Sequence, residues 1–471
     1  RGRITEKIMN KNYLRQISVL LLLVLIVVSC KVTRSYETPA ANTNELFRDA
    51  NISDTNTIAS LKWNEVFTDT SLQRLIAEGI TRNLDMQVAY TRVQQAEAYY
   101  SQAGAAFFPT LNGNTSVGRS KFSAGQGFGA RPSITQYQLG LSSSWEADIW
   151  GRLSANRRAS LANLLQSEAA IRAVQTGVVG SIANLYYTLL ALDQQLLITQ
   201  ETVANWDTTV TTMRALKEAA RVTEAAVVQS EAQRYAAEVT IPDLKQRIRE
   251  TENALSIIVG HAPTGISRGN LEDQQSVGVL QAGVPAQLLA NRPDVQQAEL
   301  AFRSSFELTN VARAAFYPSL SITGSAGLAS LAPVDLLNIS SLAASISAGL
   351  TQPIFNRRLN RTNLKVAQAQ QQESLINFQN TLLGAGQEVS DALSLHQTAL
   401  EKVAVRTNQL NALEKSVQYS QELLRNGFAN YTEVIQARQS LLAAELGRVN
   451  DRLQQLQATV NLYRSLGGGW R

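Results

Sequence analysis

The chain has 471 residues, 44% of them hydrophobic and 17% charged, enough to bury a sizeable core but not the pattern of a polytopic helical membrane protein. Its 43 Lys and Arg against 38 Asp and Glu leave a small, scattered surplus of +5, which calls for no nucleic-acid partner. One cysteine excludes a disulfide framework or a cysteine metal cluster, and two histidines, His261 and His396, leave little for a metal site or a relay. No metal, cofactor or catalytic group is expected, and the chain is not read as an enzyme.

The chain opens on Arg1, and Met9 is the more plausible start. Lys11 and Arg15 then precede an apolar run from Ile17 to Val28, too short to cross a bilayer, which takes about 20 residues. The run suits a secretory signal peptide over residues 1–29. It ends Val27-Val28-Ser29-Cys30, a lipobox-like sequence after which Cys30 would be lipidated, and Lys31 rather than Asp follows it. A signal-anchor helix with an incidental cysteine is the alternative.

Sliding the chain against itself shows a duplication. Asn83-Leu84-Asp85-Met86 answers Arg292-Pro293-Asp294-Val295, and Phe107-Phe108-Pro109 answers Phe316-Tyr317-Pro318, both at an offset of 209. Ile149-Trp150-Gly151-Arg152 answers Ile354-Phe355-Asn356-Arg357 at 205, and Val227-Val228-Gln229 answers Val434-Ile435-Gln436 at 207. The expected divisions are an N-terminal segment 30–70, a first repeat 71–262, a linker 263–282, a second repeat 283–466 and a tail 467–471.

Within each copy two periodicities alternate. Ile182, Leu189, Leu196, Val203 and Val210 recur every seven residues beside Leu185, Leu192, Thr199, Trp206 and Met213. Copy two repeats this from Leu375 through Leu382, Val389 and His396 to Leu424, and the returning helices carry Ile241, Ile248 and Leu255, then Ile435, Leu442, Val449, Leu456 and Tyr463. Sustained heptads mean coiled-coil packing. Between the helices, four segments alternate with period two, at about 109–120, 134–148, 318–329 and 340–354. Leu320, Ile322 and Leu328 alternate with Ser321, Thr323 and Ser325, and Ile346 and Leu350 with Ser345 and Ser347. One apolar face and one of Ser, Thr and Gly is the pattern of a strand with lipid outside and water inside; a soluble sandwich strand is the alternative. Phe107, Phe108, Trp145, Trp150, Phe316, Tyr317 and Phe355 gather at the strand ends, as an interfacial girdle would.

Four strands cannot close a barrel, and open edges are not tolerated in hydrocarbon. Two chains would supply about eight strands, a bore filled by side chains, whereas three would supply twelve around a water-filled lumen. The expected fold class is therefore an α+β membrane protein: a trimeric outer-membrane β-barrel with four strands per chain, continued by a long α-helical coiled-coil barrel, in two internal repeats.

These residues carry a resemblance. Gly283-Val284-Pro285, Leu288-Leu289-Ala290-Asn291-Arg292-Pro293-Asp294-Val295, Trp145-Glu146-Ala147-Asp148-Ile149-Trp150-Gly151-Arg152 and the final Gly467-Gly468-Gly469-Trp470 resemble the signatures of TolC-like outer membrane factors of the OprM/NodT lipoprotein branch. The resemblance implies a homotrimer in outer-membrane lipid, extending into the periplasm of a Gram-negative bacterium. It implies a passive exit duct for small molecules, fed by an inner-membrane pump through a periplasmic adaptor. A duct for type I protein secretion, or a non-channel coiled-coil scaffold, are the alternatives. It further implies that Ala220, Arg221, Val222 and Thr223, with Gly427, Phe428, Ala429 and Asn430, form adaptor-contacting tips. Glu433 then lines a closed aperture, and Gln436 stands where the family often has a second acid. Arg221 and Arg425 are the candidates to offset Glu433's charge. Arg292-Pro293-Asp294 reads as helix-start chemistry, and His261 and His396 as loop and packing residues.

Overall fold

The computed structural model describes residues 32–40, 46–48, 57–121, 133–275 and 287–471. The signal peptide, Met9, Cys30 and the Gly283-Val284-Pro285 motif lie outside the described residues.

The element order follows the duplication. Copy one runs α1 (Thr70–Arg82), α2 (Leu84–Ala105), β1 (Thr110–Ser120), β2 (Ile134–Ala147), α3 (Arg152–Glu218), α4 (Glu224–Glu238) and α5 (Thr240–Val259). Copy two runs α6 (Pro293–Ala314), β3 (Ser319–Ser330), β4 (Leu342–Thr351), α7 (Leu359–Arg425) and α8 (Tyr431–Ser465). The helix before each strand pair, α2 or α6, has 22 residues, and the helix after it, α3 or α7, has 67. One difference has a local cause. Pro242 has no N–H for the Glu238 carbonyl, and copy one's returning helix is interrupted at Val239. No proline falls within α8, which is unbroken over 35 residues.

The chain divides into two compact units. The first comprises the described residues of Arg1–Pro39 with Gln94–Leu165 and Glu299–Ile376, and holds the sheet. Its strand order is β1-β2-β3-β4, every neighbour antiparallel, so within one chain β1 and β4 are open edges. The N-terminal stretch is tied to α6. The Arg34 N–H donates to Asn310 Oδ1 at 3.0 Å, Asn310 Nδ2 donates to the Arg34 carbonyl at 2.9 Å, and the Tyr36 ring stacks edge-on against Phe306. Glu307, only 2% exposed, is held by both arms of Arg158 at 2.8 and 2.9 Å. That pairing is the condition under which a carboxylate tolerates burial.

The second unit, from Ala40–Val93, Gln166–Ala298 and Asn377–Arg471, holds the main apolar core. Ile182, Leu189, Leu192, Trp206, Val210 and Met213 of the copy-one heptads are buried. In copy two Leu382, Val389 and Leu410 of the expected row are buried, with Phe378, Ala385, Ala392 and Ala399 as the companion row of the seam, while Val403 is exposed. Small residues allow close helix approach but carry a weak hydrophobic signal. Asp69 caps α1, accepting from the Ser71 and Leu72 N–H groups at 2.7 and 3.1 Å. Its other oxygen accepts from Tyr186 Oη at 2.8 Å and Gln274 Nε2 at 2.7 Å. Arg268 is gripped between Asp193 and Glu252.

Candidate functional site

The sheet is built as two unlike faces, and its register keeps them unlike across all four strands. On one face Leu111 lies opposite Ser143, Val117 opposite Tyr137, Leu139 opposite Leu328, Trp145 opposite Ile322, and Leu320 opposite Leu350. On the other, Asn112 lies opposite Ser142, Ser142 opposite Ser325, and Ser325 opposite Ser345. A slip of one residue in any pairing would mix the faces. The polar face is knitted by its own hydroxyls: Thr323 to Ser347 at 2.7 Å, Ser325 to Ser345 at 2.8 Å, and Asn114 Nδ2 donating to Ser142 Oγ at 2.7 Å. Gly140 and Gly327 face each other there, and a Cβ on Gly327 would sit 2.5 Å from the Gly140 Cα. The strands pass too closely at that point for any side chain. Among the described residues no helix is long and apolar enough to cross a membrane. The sheet's alternation of an apolar and a hydroxyl face is the pattern of a strand between lipid and water.

The segment Trp145–Arg152 turns the end of β2 into the start of α3. Trp145 Nε1 donates to the Phe107 carbonyl at 2.8 Å, and Trp150 Nε1 to the Pro318 carbonyl at 2.7 Å. Glu146 takes both arms of Arg152 at 3.0 and 2.6 Å. Asp148 accepts from the Leu153 and Ser154 N–H groups at 2.8 and 2.9 Å, and Gly151 makes the bend with φ 75°. The Trp150 and Tyr317 rings lie 5.0 Å apart. The aromatic residues singled out in the sequence therefore gather at one end of the sheet, where β1 and β3 begin and β2 and β4 end.

The two candidate tips are superposable in their bonding. After α3, the Ala220 N–H donates to the Lys217 carbonyl at 2.9 Å and the Arg221 N–H to the Leu216 carbonyl at 2.8 Å. After α7, the Gly427 N–H donates to the Leu424 carbonyl at 3.1 Å and the Phe428 N–H to the Leu423 carbonyl at 2.8 Å. Both are Schellman endings. Val222 and Thr223 lead into α4, and Ala429 and Asn430 into α8. Phe428 is 83% exposed. Behind the turns, Trp206, Ala237 and Ile435 form a small separate core.

Glu433 sits at the third position of α8 and is exposed. Its carboxylate accepts from the Asn430 N–H at 3.4 Å while Asn430 Oδ1 accepts from the Thr432 N–H at 3.5 Å, a reciprocal capping box. Among the described residues no ion pair joins Glu433 to Arg221 or Arg425. Gln436 Nε2 donates to Ser440 Oγ at 3.4 Å along its own helix. His261 Nε2 lies 2.8 Å from Glu78 Oε1, a contact no local pattern announces, and His396 Nε2 is buried without a partner. Burial holds the His396 pKa below its ordinary value.

Arg292 does more than start a helix. It is 7% exposed, forks onto Asp294 at 3.0 and 2.6 Å, reaches Glu388 at 2.8 Å, and donates to the Ser465 carbonyl at 2.8 Å. Burial would raise the Asp294 pKa, but the hydrogen bond and charge of Arg292 outweigh it and hold it low. The C-terminal Trp470 donates to the Asn291 carbonyl at 3.1 Å, and Arg172 lies over its ring at 5.1 Å.

A sheet with one apolar and one hydroxyl face, joined to long heptad helices in a duplicated chain, is the build of an outer-membrane channel subunit. The model of the outer membrane efflux protein family matches residues 75–261 and again 284–468, one match per copy. The cation efflux system protein CusC of Escherichia coli O6:H1 is 30% identical over 456 residues, covering 94% of this chain and 96% of that protein. The solvent efflux pump outer membrane protein SrpC of Pseudomonas putida is 30% identical over 412 residues, covering 87% of each. Crystal structures of CusC, described for changes accompanying folding and transmembrane channel formation, match with a TM-score of 0.84 at 28% identity, over 93% of this chain and 100% of theirs. The chain belongs to the outer membrane efflux protein family. It is an outer-membrane efflux channel, and its fold class is the one its two periodicities led us to expect.

Proposed function

We propose that three copies of this chain close into one passive exit duct, which receives small molecules from an inner-membrane pump through a periplasmic adaptor. The observation that carries this reading is the four-stranded sheet with two open edges, one mostly apolar face and one face of Asn, Gln, Ser, Thr and Gly. In hydrocarbon each unpaired edge group costs several kcal/mol (on the order of 2–7), so β1 and β4 need partners, and symmetry-related copies supply them. The Asn, Gln, Ser and Thr face then lines the lumen and the Leu, Ile, Val and Trp face meets lipid. Nothing in this reading calls for chemistry on the cargo.

The turns 220–223 and 427–430 are the surfaces offered to the adaptor, a reading supported by their matching geometry and by the exposure of Phe428. Glu433 and Gln436 lie just behind the second turn and are the candidate aperture residues. In a closed trimer, adaptor contact at the turn would loosen the capping box that engages Glu433. Lipidation at Cys30 would add an acyl anchor beside the barrel. The cargo differs between relatives of equal identity, one named for cations and another for solvents, so small-molecule efflux is the level at which function is proposed. Native mass spectrometry of the detergent-extracted protein tests the assembly: a trimer is expected, and a stable membrane-inserted monomer or dimer would overturn it.

A further inference from the structure

Within one chain a single strand pairing joins the two repeats: β2 of copy one lies against β3 of copy two, with Trp145 opposite Ile322. The reciprocal pairing, β4 against β1, has its two halves at opposite edges of the sheet. The duplication carries a register for it. Trp145 has Leu350 as its counterpart at the offset of 205, and Ile322 has Gly113 at the offset of 209. Transferred to the edges, Leu350 falls opposite Gly113 of the partner subunit. The faces then match across the seam, because Leu350, Ala348 and Ile346 share the apolar face with Gly113, Thr115 and Val117.

The two hairpins are not identical in register. Thr110 lies opposite Ser144, whereas its counterpart Ser319 lies opposite Thr351, two residues beyond Gly349. Placing β4 by that slipped register would move the edge pairing by two residues. Strand tilt separates the two registers. The pairings across one chain lead from Gly113 to Leu141, Ala326 and Ala344. With Arg119 of the partner subunit opposite Ala344, four strands advance six residues, about 20 Å along the strands for about 19 Å across, a tilt near 45°. The slipped register advances eight residues and tilts the strands by about 54°, beyond the roughly 35–45° of membrane barrels. It would also leave Leu342–Ala344 past the end of β1, whereas the first register gives every residue from Ala343 to Thr351 a partner in β1.

We propose that β4 of one copy pairs antiparallel with β1 of the next in this register, Ile346 opposite Val117 of the partner subunit and Ser347 opposite Ser116 of the partner subunit. The inference rests on the trimer reading and fixes what that reading leaves open, the residues that close the duct. On the hydroxyl face, Thr323 and Ser347 already share a hydrogen bond at 2.7 Å, and Ser116 donates to Gln138 at 3.4 Å. The pairing joins these two ladders, so the lumen wall stays polar across the seam. On the other face Ile346 and Val117, 82% and 67% exposed in one chain, become a cross-strand pair of β-branched side chains.

Disulfide cross-linking of the full-length, membrane-inserted protein reads the register. A disulfide needs Cβ atoms about 3.5–4.5 Å apart, close to the spacing of directly opposite residues and well short of the roughly 7–8 Å of residues two further along. The variant Ile346→Cys/Val117→Cys should therefore oxidise into covalently linked trimers at least about fivefold faster than Ile346→Cys/Thr115→Cys or Ile346→Cys/Arg119→Cys, which probe the registers two residues to either side. Ser347→Cys/Ser116→Cys repeats the test on the hydroxyl face, where a cysteine is in water, and should link as fast. Cys30 is present in every variant, so any link it makes appears in all of them. Faster linking by the Thr115 or Arg119 variant would overturn the register. Links that leave only monomers on non-reducing gels, or trimers in which neither directly opposite pair links, would overturn the pairing of β4 with β1. Wild type that forms no trimer would instead sink the assembly reading beneath it.

Discussion

Ala220 and Gly427 occupy the same left-handed position in the two helix-ending turns, with φ 54° and 79°. The Arg221 guanidinium lies 3.6 Å from where a Cβ on Gly427 would stand, so the two turns are neighbours within one chain. A non-glycine residue in that conformation costs about 1–2 kcal/mol. The first turn bears this strain and the second does not.

Ala220→Gly should therefore tighten the first turn, slowing amide exchange at Ala220 and Arg221 by roughly three- to fivefold for about 0.6–1 kcal/mol. Gly427→Val should do the reverse at the second turn and impair efflux while trimers persist. Hydrogen exchange and a drug-susceptibility assay read these separately. Unchanged exchange in both variants would mean the turns are not held by these bonds.

The division of faces is tested by charge. Ile346→Arg, midway along β4, places a cation on the apolar face and should cost roughly 2–4 kcal/mol, while Ile322→Arg, opposite the girdle residue Trp145, should cost less. Ser321→Arg and Ser345→Arg, on the hydroxyl face, should insert almost normally and alter conductance. Heat-resistant trimers on gels report the first effect and bilayer recordings the second. Equal damage on both faces would refute the assigned register.

Arg292 is the buried clamp between α6, α7 and the chain's C-terminal turn. Arg292→Ala leaves the buried Ser465 carbonyl without its donor and Asp294, 39% exposed, to water, and should destabilise by about 1–3 kcal/mol. Arg292→Lys keeps the charge but loses the fork, so it should fall between the two. Chemical denaturation in detergent measures both.

Asp69 sets an acid limit. Burial alone would raise its pKa, but hydrogen bonds from Gln274, Tyr186 and the Leu72 and Ser71 N–H groups hold it below the ordinary 3.8. As pH falls, the unfolded chain takes up this proton first. The stabilisation is therefore whole above about pH 4 and is lost as pH drops through the lower folded value. The melting temperature of Asp69→Asn should lie well below wild type at neutral pH, and the gap should narrow as pH falls through the lowered folded-state value. A gap independent of pH would show that the carboxylate's charge is not what matters.

The sheet and the heptads were legible because each is a repeated local pattern: Leu320, Ile322 and Leu328 announce a face by themselves, as Ile182 and Leu189 announce a seam. The Ala385, Ala392 and Ala399 seam was not, since alanine is as common on a helix surface as within one. Asn430-Tyr431-Thr432-Glu433 spells a capping box in the sequence itself, a local role for Glu433 beside the aperture role that the family resemblance implies. Arg292 looked like a helix start because its other partners, Glu388 and Ser465, are 96 and 173 positions away. No local pattern carries that information.

If three four-stranded sheets enclose a continuous water-filled duct, the purified trimer must pass ions, and single-channel recording in planar bilayers measures this. Discrete, uniform conductance steps are expected, enlarged by Glu433→Gln if that residue narrows the aperture. Trimers that insert with intact melting behaviour yet pass no current, in wild type and in tip variants alike, would contradict the duct itself.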